Sequence, residues 1–210
     1  EGPVDRLGEA VISFHDPDGL ALEIVASAAE ERGATWENGP VPPVHSIRGF
    51  HSVTLSEANH DRTASMLVET LGFRRAVQSE NRFRYEMGDG GPGARIDVLH
   101  LPNLARGLIS VGTVHHVAFR TPDDAQQTAW QGDVRRRGTQ VTPVADRHYF
   151  HSIYFREPGG VLFEIATDVP GFTVDETKDR LGSRLMLPPW LEPRRAQLMQ
   201  HLSPIRIPVA

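Results

Sequence analysis

Stretches of the chain alternate apolar and polar residues with the period of two that is typical of β-strands. The first covers residues 114–120, where Val117 falls on the apolar face and His116 on the polar one. The second covers residues 161–166, where Glu164 is the polar member of an otherwise aliphatic and aromatic run. We therefore expect an imidazole and a carboxylate to project from the same side of one sheet.

A third alternating stretch lies between these two, at residues 149–156. Its apolar face holds Ile153 and Phe155, and its polar face holds Ser152 and Tyr154. β-Branched and aromatic residues of this kind favour a pleated, half-buried surface. The pattern predicts that a phenol joins the imidazole and the carboxylate in one concavity.

Capping residues and periodicity predict two helices. The first covers about residues 57–71 and ends at Gly72, which can adopt the left-handed conformation of a helix stop. The second is expected to take Thr121 as its cap, with Asp124 completing a capping box, and to stop at Gly138.

Strands and helices follow one another in a repeated βαβββ order, once in residues 48–105 and again in residues 113–168. Internal repetition of this kind indicates tandem copies of one supersecondary unit. A predicted hairpin at residues 10–26 aligns with the closing part of the same unit, so it is interpreted as the end of a truncated copy. In this alignment the slot of Glu164 is taken by Glu23 and Asp97, and the slot of His116 by Ser52.

The repeats predict five consecutive segments. Residues 1–32 are the closing hairpin of a truncated unit, and residues 33–47 are a proline-rich linker. Residues 48–105 form a βαβββ unit that lacks a histidine and a carboxylate in these two slots together, and residues 113–168 form one that has both. Residues 169–210 are a tail with a helix, for which we expect a packing role.

Composition narrows the function classes. A net charge of −5 gives no reason to expect nucleic acid or an anionic membrane as partner, and small molecules are the more natural ligands. No cysteine is present, which excludes disulfides, zinc–thiolate sites and thiol nucleophiles. The chain starts at Glu1 without a methionine or signal-like segment, so we expect an internal part of a longer, cytoplasmic product. Self-association is left open.

Tandem βαβββ units with a histidine on an opening strand and a G-x-x-x-E closing strand resemble the vicinal oxygen chelate superfamily, which includes glyoxalases, extradiol dioxygenases and antibiotic-resistance proteins. The resemblance implies an α+β fold of curved mixed sheets. Within the superfamily the chain is similar to ring-cleaving dioxygenases of the hydroquinone type. That similarity is found in four segments, residues 115–119, 149–156, 163–168 and 187–195.

The resemblance implies Fe(II) or Mn(II) held by two histidines and one glutamate. His116 and Glu164 match the second histidine and the glutamate, while the first histidine belongs to a unit upstream of this sequence. Tyr154 and Arg147 match positions that contact the bound phenol or oxygen. We therefore expect a small aromatic substrate and O2 as partners, and weak metal binding by the 210-residue chain. His115 would contribute only if a strand irregularity turned it inward.

The residues also allow other interpretations. His116 could be a buried histidine bonded to backbone, Arg147 an ordinary loop arginine, and the slot of Glu164 a structural one. His148 and His151 are expected to be surface or packing residues. At the level of function, an Fe(II) ring-cleaving dioxygenase of the extradiol type stands beside a metal-free binding or resistance protein and a glyoxalase-like isomerase.

Overall fold

The computed structural model describes residues 2–26, 35 and 39–203. In this part of the chain the strands are β1 (Val4–Arg6), β2 (Glu9–His15), β3 (Ala21–Ala26), β4 (Val53–Glu57), β5 (Arg74–Ser79), β6 (Arg82–Glu86), β7 (Arg95–His100), β8 (Val117–Thr121), β9 (Ala145–Asp146), β10 (Phe150–Arg156) and β11 (Leu162–Pro170). The α-helices are α1 (His60–Ser65), α2 (Asp124–Arg136) and α3 (Arg195–His201). Parts of the predicted linker and of both chain ends lie outside the described residues.

The hairpin predicted near the start of the chain is confirmed. Strands β2 and β3 pair antiparallel with Ile12 opposite Ile24, and β1 adds a third strand beside β2. The turn is closed by Asp16, whose Oδ1 accepts hydrogen bonds from the backbone N–H groups of Asp18 and Leu20. An acidic side chain that bonds its own backbone two residues on is a common way to fix a tight turn.

The chain divides into two compact units, one of residues 1–117 with 156–163 and one of residues 118–155 with 164–210. The first contains a sheet of order β4-β7-β6-β5, in which β4 and β7 run parallel. Helix α1 continues into a π-helical turn at Met66–Thr70. The core of this unit is formed by apolar side chains of the sheet and the helix, among them Leu55, Leu67, Leu71, Ile96 and Val98.

The second βαβββ segment builds a sheet of order β8-β11-β10-β9. Its alternation agrees with the predicted register, since Ile153, Phe155, Phe163 and Ile165 are all buried. On β8, Val117 and Phe119 are half-buried while Ala118 and Arg120 are exposed. The predicted α+β fold of mixed sheets is thus confirmed.

Two element boundaries differ from the prediction. Helix α2 is capped by Asp123, whose side chain accepts from the backbone N–H of Gln126 at 2.9 Å, and Thr121 instead bonds the side chain of Gln126. Strand β8 begins at Val117, later than expected. The helix shift agrees with the preference for Asp over Thr as a cap, which leaves Thr121 in the strand.

The tail contains 3₁₀ turns at Phe172–Val174, Lys178–Arg180 and Glu192–Arg194 before α3. Trp190 meets the ring of His148 edge-on at 6.3 Å, yet both Trp190 and Leu202 remain about half exposed. The expected packing role of the tail is therefore only partly met. Among the described residues, no helix combines the length and the apolar character that a membrane span needs.

Candidate active site

A buried carboxylate lies at the centre of the second sheet. Glu164 on β11 is 3% exposed, and its Oε1 accepts a hydrogen bond from the phenol of Tyr154 at 3.0 Å and another from the hydroxyl of Ser152. Both donors lie on the polar face of β10, as the alternation predicted. A buried carboxylate needs such donors, because burial without them is strongly unfavourable.

Arg147 joins this group from the turn that follows β9. Its guanidinium carbon lies 5.4 Å from the centroid of the Tyr154 ring, within the range of a cation–π contact. The turn is fixed by its own backbone, with the N–H of Arg147 bonded to the carbonyl of Phe150 at 2.9 Å. The structure therefore brings three of the predicted site residues, Arg147, Tyr154 and Glu164, into one connected row.

Ser152 belongs to the same site and was not singled out by its sequence. It is completely buried, and its hydroxyl donates to the carboxylate of Glu164. The signal that could have found it was present, because Ser152 shares the polar face of its strand with Tyr154. A small hydroxyl at that position fits between two strands and satisfies a charge that would otherwise lose hydration.

His116 lies in the segment before β8 and is half-buried. Its Nδ1 is 2.8 Å from Nδ1 of His115, and the two rings meet edge-on at 5.1 Å between centroids. The expectation that strand alternation would separate these rings is wrong, because the pair precedes the strand. One Nδ1 must donate and the other accept, so the two imidazoles hold different tautomers or charges. The meeting of His116 with Glu164 stays a prediction.

In the middle βαβββ segment the slot of Glu164 is filled by an ion pair. Asp97 accepts from Nε and Nη2 of Arg84 at 2.8 and 3.0 Å, and Arg84 also bonds Glu9 at 2.7 Å. In this copy the slot therefore has a structural use, which is the alternative left open for Glu164. Glu23, in the hairpin of the truncated copy, likewise pairs with Arg6. A guanidinium thus satisfies the carboxylate of the middle segment.

His51 belongs to the charged network around Arg84 and Glu9. Its Nε2 lies 3.0 Å from Glu9 and 2.9 Å from Arg95, and its Nδ1 lies 3.0 Å from the hydroxyl of Ser52. His51 precedes β4, so the alternation of that strand does not apply to it. Burial alone would raise the pKa of Glu9, but hydrogen bonds from Arg84 and His51 outweigh it and lower the pKa to about 2.

His148 and His151 both have carboxylate partners in the second unit. His148 Nε2 lies 2.8 Å from Asp175, and His151 Nδ1 lies 2.6 Å from Asp124. Both rings border an open depression together with Trp190. The expectation that these histidines are surface or packing residues agrees with their partly exposed, ion-paired positions.

Comparison with known proteins decides the family. The profile of the Glyoxalase/Bleomycin resistance protein/Dioxygenase superfamily matches residues 49–165. The chain belongs to this superfamily. The match contains both βαβββ segments and the candidate residues His116, Tyr154 and Glu164, so the resemblance noted in the sequence is confirmed.

Within the superfamily the chain is similar to MhqO of Bacillus subtilis strain 168, a provisionally named ring-cleaving dioxygenase, with 45% identity over 97% of this chain and 64% of that protein. It is 33% identical to a chlorohydroquinone/hydroquinone 1,2-dioxygenase of Sphingobium indicum, over 95% of this chain and 63% of the relative. A crystal structure of a provisionally named dioxygenase from Bacillus subtilis superposes with a TM-score of 0.90 at 45% identity, over 97% of this chain and 65% of that one. The chain thus spans less than two thirds of the length of each of these proteins.

Dioxygenases of this superfamily generally use a metal ion. The side chains described above include donor types that bind such an ion. An imidazole and a buried carboxylate are ligands that Fe(II) and Mn(II) accept. Glu164 is also fixed by two hydroxyl donors, the kind of support that metal-ligating carboxylates usually have. Among the described residues, no three histidine, aspartate or glutamate side chains are grouped so as to hold a metal by themselves.

Proposed function

We propose that the chain belongs to a ring-cleaving dioxygenase that acts on a hydroquinone- or catechol-like aromatic with Fe(II) or Mn(II). The observation that carries this proposal is the connected row in which Arg147 lies over Tyr154 and Tyr154 donates to the buried Glu164. The dioxygenase names of its relatives support the same reaction class. The aromatic substrate, O2 and the whole reaction are part of the proposal.

His116 and Glu164 are the residues of this chain that would hold the metal, with a further histidine supplied from outside the chain. One neutral imidazole and one carboxylate leave the charge of a divalent ion partly uncompensated, which favours the binding of a phenolate. A divalent metal held there would supply the Lewis acidity and electron-transfer chemistry that ring cleavage by O2 needs.

Tyr154 is suited to move a proton at the reacting ring. Its hydroxyl already donates to Glu164 at 3.0 Å, so the phenol is oriented and its proton has a defined position. A substrate hydroxyl beside it could pass its proton through this oxygen, because a phenol can both donate and accept. General acid–base catalysis by Tyr154 would thus accompany deprotonation of the aromatic substrate.

Arg147 would stabilise negative charge in the same place. Its guanidinium is a cation and lies over the Tyr154 ring, where it would attract a substrate phenolate beside that ring. Ser152 has a different task, because its hydroxyl is directed at the carboxylate of Glu164. It would fix the orientation of that carboxylate without contacting the substrate.

The test is oxygen uptake by the native protein, loaded in turn with Fe(II) and Mn(II), on substituted hydroquinones and catechols. We expect one O2 consumed per ring opened, followed by the ultraviolet spectrum of the open-chain product. A parallel assay with a glutathione hemithioacetal would report isomerase activity, and calorimetry with bleomycin would report simple binding. Isomerisation or tight binding without oxygen uptake would overturn the proposal.

A further inference from the structure

Two buried carboxyl groups meet where β4 ends against the turn between β10 and β11. Glu57, the last residue of β4, is 3% exposed, and Glu157, the first residue of the turn, is 2% exposed. The two carboxyl groups lie next to each other at Gly159, whose N–H donates to Oε2 of Glu157 at 2.8 Å and where an added Cβ would collide with Oε2 of Glu57. Two like charges at this distance in a buried site are strongly unfavourable, so at least one of the pair is expected to keep its proton.

Glu157 has hydrogen-bond donors at both of its carboxyl oxygens. Its Oε2 accepts from the hydroxyl of Thr63 at 2.7 Å and from the backbone N–H of Gly159 at 2.8 Å, and its Oε1 accepts from the N–H of Val161 at 2.8 Å. Backbone N–H groups can only donate. These three donors make Glu157 a well-supported hydrogen-bond acceptor at this place.

Glu57 is the member that carries the proton. In the part of the chain that the structure describes, its Oε1 accepts no hydrogen bond although it is buried. A neutral carbonyl oxygen tolerates that position far better than half of a carboxylate does. The carboxyl group also lies directly on the turn, since a Cβ at Gly159 would stand 1.8 Å from Oε2 of Glu57. Glycine is therefore needed opposite Glu57.

Three further titratable or charged groups lie on the elements around the pair. On α1, His60 bonds the hydroxyl of Tyr85 at 2.7 Å and lies 3.3 Å from Asp61, and burial lowers its pKa. At the turn, Arg156 donates to the carbonyl of Gly160 at 2.8 Å. Arg106 approaches the same glycine, with its Nε 4.0 Å from where a Cβ would stand. Burial and the neighbouring Glu157 raise the pKa of Glu57 well above its usual range.

We propose that Glu57 and Glu157 share a single proton and form a pH-sensitive latch that fastens the end of β4 to the β10–β11 turn. The latch is closed while Glu57 is protonated, because the acid then donates to the carboxylate. It is weakened when Glu57 ionises, because two buried anions then face each other. The end of β4 and the turn belong to the same compact unit, so the latch acts inside that unit.

The sign of the pH effect follows from proton linkage. Above pH 4.5, the ordinary pKa of this carboxyl, the unfolded chain has already released the proton. The native chain still binds it, because the pKa of the native carboxyl is raised. Stability from the latch is therefore complete below that pH and is lost as the pH rises through the raised pKa. With one proton involved, the unfolding equilibrium constant should increase about tenfold per pH unit inside this window.

The experiment is urea unfolding of the 210-residue chain at intervals between pH 5 and 8 for the wild type, Glu57→Gln and Glu80→Gln. Glutamine at position 57 can still donate to Glu157 but has no proton to lose. Glu80→Gln makes the same charge change at an exposed position of the same unit. We expect Glu57→Gln to remove about one proton from the pH slope of the wild type, and Glu80→Gln to leave it unchanged.

An unchanged slope in Glu57→Gln would overturn the latch. If that variant does not fold, the infrared spectrum of the wild type decides the question. Loss of the carbonyl stretch of a protonated carboxylic acid as the pH is raised from 6 to 8 supports the proposal, and the lack of any such band at pH 6 overturns it. Neither measurement depends on dioxygenase activity, so the outcome is separate from that of the proposed function.

Discussion

The phenol of Tyr154 donates to Oε1 of Glu164 across 3.0 Å. This one bond joins the residue proposed to move a proton to the residue proposed to hold the metal, and it does so in a buried place where charge is poorly screened. A change in the charge of either group would therefore change the electrostatic energy of the other. The first two predictions concern the two hydroxyls on this carboxylate.

Tyr154→Phe should keep the fold and the metal while slowing turnover of the native protein by about a hundredfold or more, because a general acid–base group of this kind typically contributes that much. The ring remains to contact Arg147, and only the hydroxyl is lost. Steady-state oxygen uptake and metal content measured on the same preparation separate the two effects.

Tyr149→Phe is the matched control for this change. Tyr149 lies in the same unit and donates to Asp175 at 3.2 Å, away from Glu164. It loses the same hydroxyl from a ring of the same size. Equal turnover in Tyr154→Phe and in the wild type would remove Tyr154 from the mechanism.

Ser152→Ala should lower the free energy of unfolding by about 1 kcal/mol, the usual value of a lost hydrogen bond, with up to ~3 kcal/mol if the buried carboxylate is left short of a donor. Urea titration at pH 7 measures the change. Ser79→Ala, at an exposed position on β5, should be neutral. A loss no larger than that of Ser79→Ala would show that the Ser152 bond contributes nothing to stability.

Arg84→Met should destabilise the chain strongly, by about 3–5 kcal/mol, because it removes the buried cation that bonds both Asp97 and Glu9 and leaves these carboxylates only Arg82 and Arg95. Arg74→Met is the control. Arg74 pairs with Glu86 on the same sheet but is about half exposed, so the same change should cost about 1 kcal/mol or less. Chemical denaturation of both variants under the same conditions gives the comparison, and similar losses would contradict it.

Acid should unfold the chain partly through Glu9. Its pKa is lowered to about 2 from an ordinary value of 4.5, so the native state favours the ionised form. The stability from this group is complete above pH 4.5 and is lost as the pH falls toward 2. In Glu9→Gln the decline of unfolding free energy between pH 5 and 2 should be shallower than in the wild type. A decline just as steep would assign acid unfolding to other carboxyls.

Local sequence patterns were sufficient to predict which face of the second sheet a side chain lies on. They were insufficient for residues just before a strand. Ser152, Tyr154 and Glu164 could be placed on one face because both strands are regular and half-buried, so the period of two holds throughout. The same rule failed for His115 and His51, since each lies before its strand begins. A period has meaning only where the backbone is extended and paired.

The charged network could not be predicted because its partners are far apart in the chain. Glu9 bonds Arg84 and Arg95, which are 75 and 86 residues away, and no local pattern marks such pairs. The contact between Glu57 and Glu157 could not be predicted for the same reason, because these residues are also far apart in the chain. Their sequence neighbours predict a helix start for Glu57 and a turn for Glu157, and only the tertiary fold shows that the two carboxyls share one buried place.

Glu164→Gln tests whether the buried carboxylate is a metal ligand or only a structural group. Glutamine has the same size and keeps an oxygen for the bonds from Ser152 and Tyr154, but it removes the charge a divalent cation needs. In the native protein we expect Mn(II) affinity to fall by more than the roughly 10–100-fold that loss of a supporting contact costs. Electron paramagnetic resonance of free Mn(II) measures this without any turnover.

The 210-residue chain, which supplies His116 and Glu164, should bind Mn(II) weakly with or without the substitution. Glu23→Gln, in the equivalent slot of the first hairpin, should leave affinity unchanged, and native-level binding by Glu164→Gln would make Glu164 structural and move the metal elsewhere.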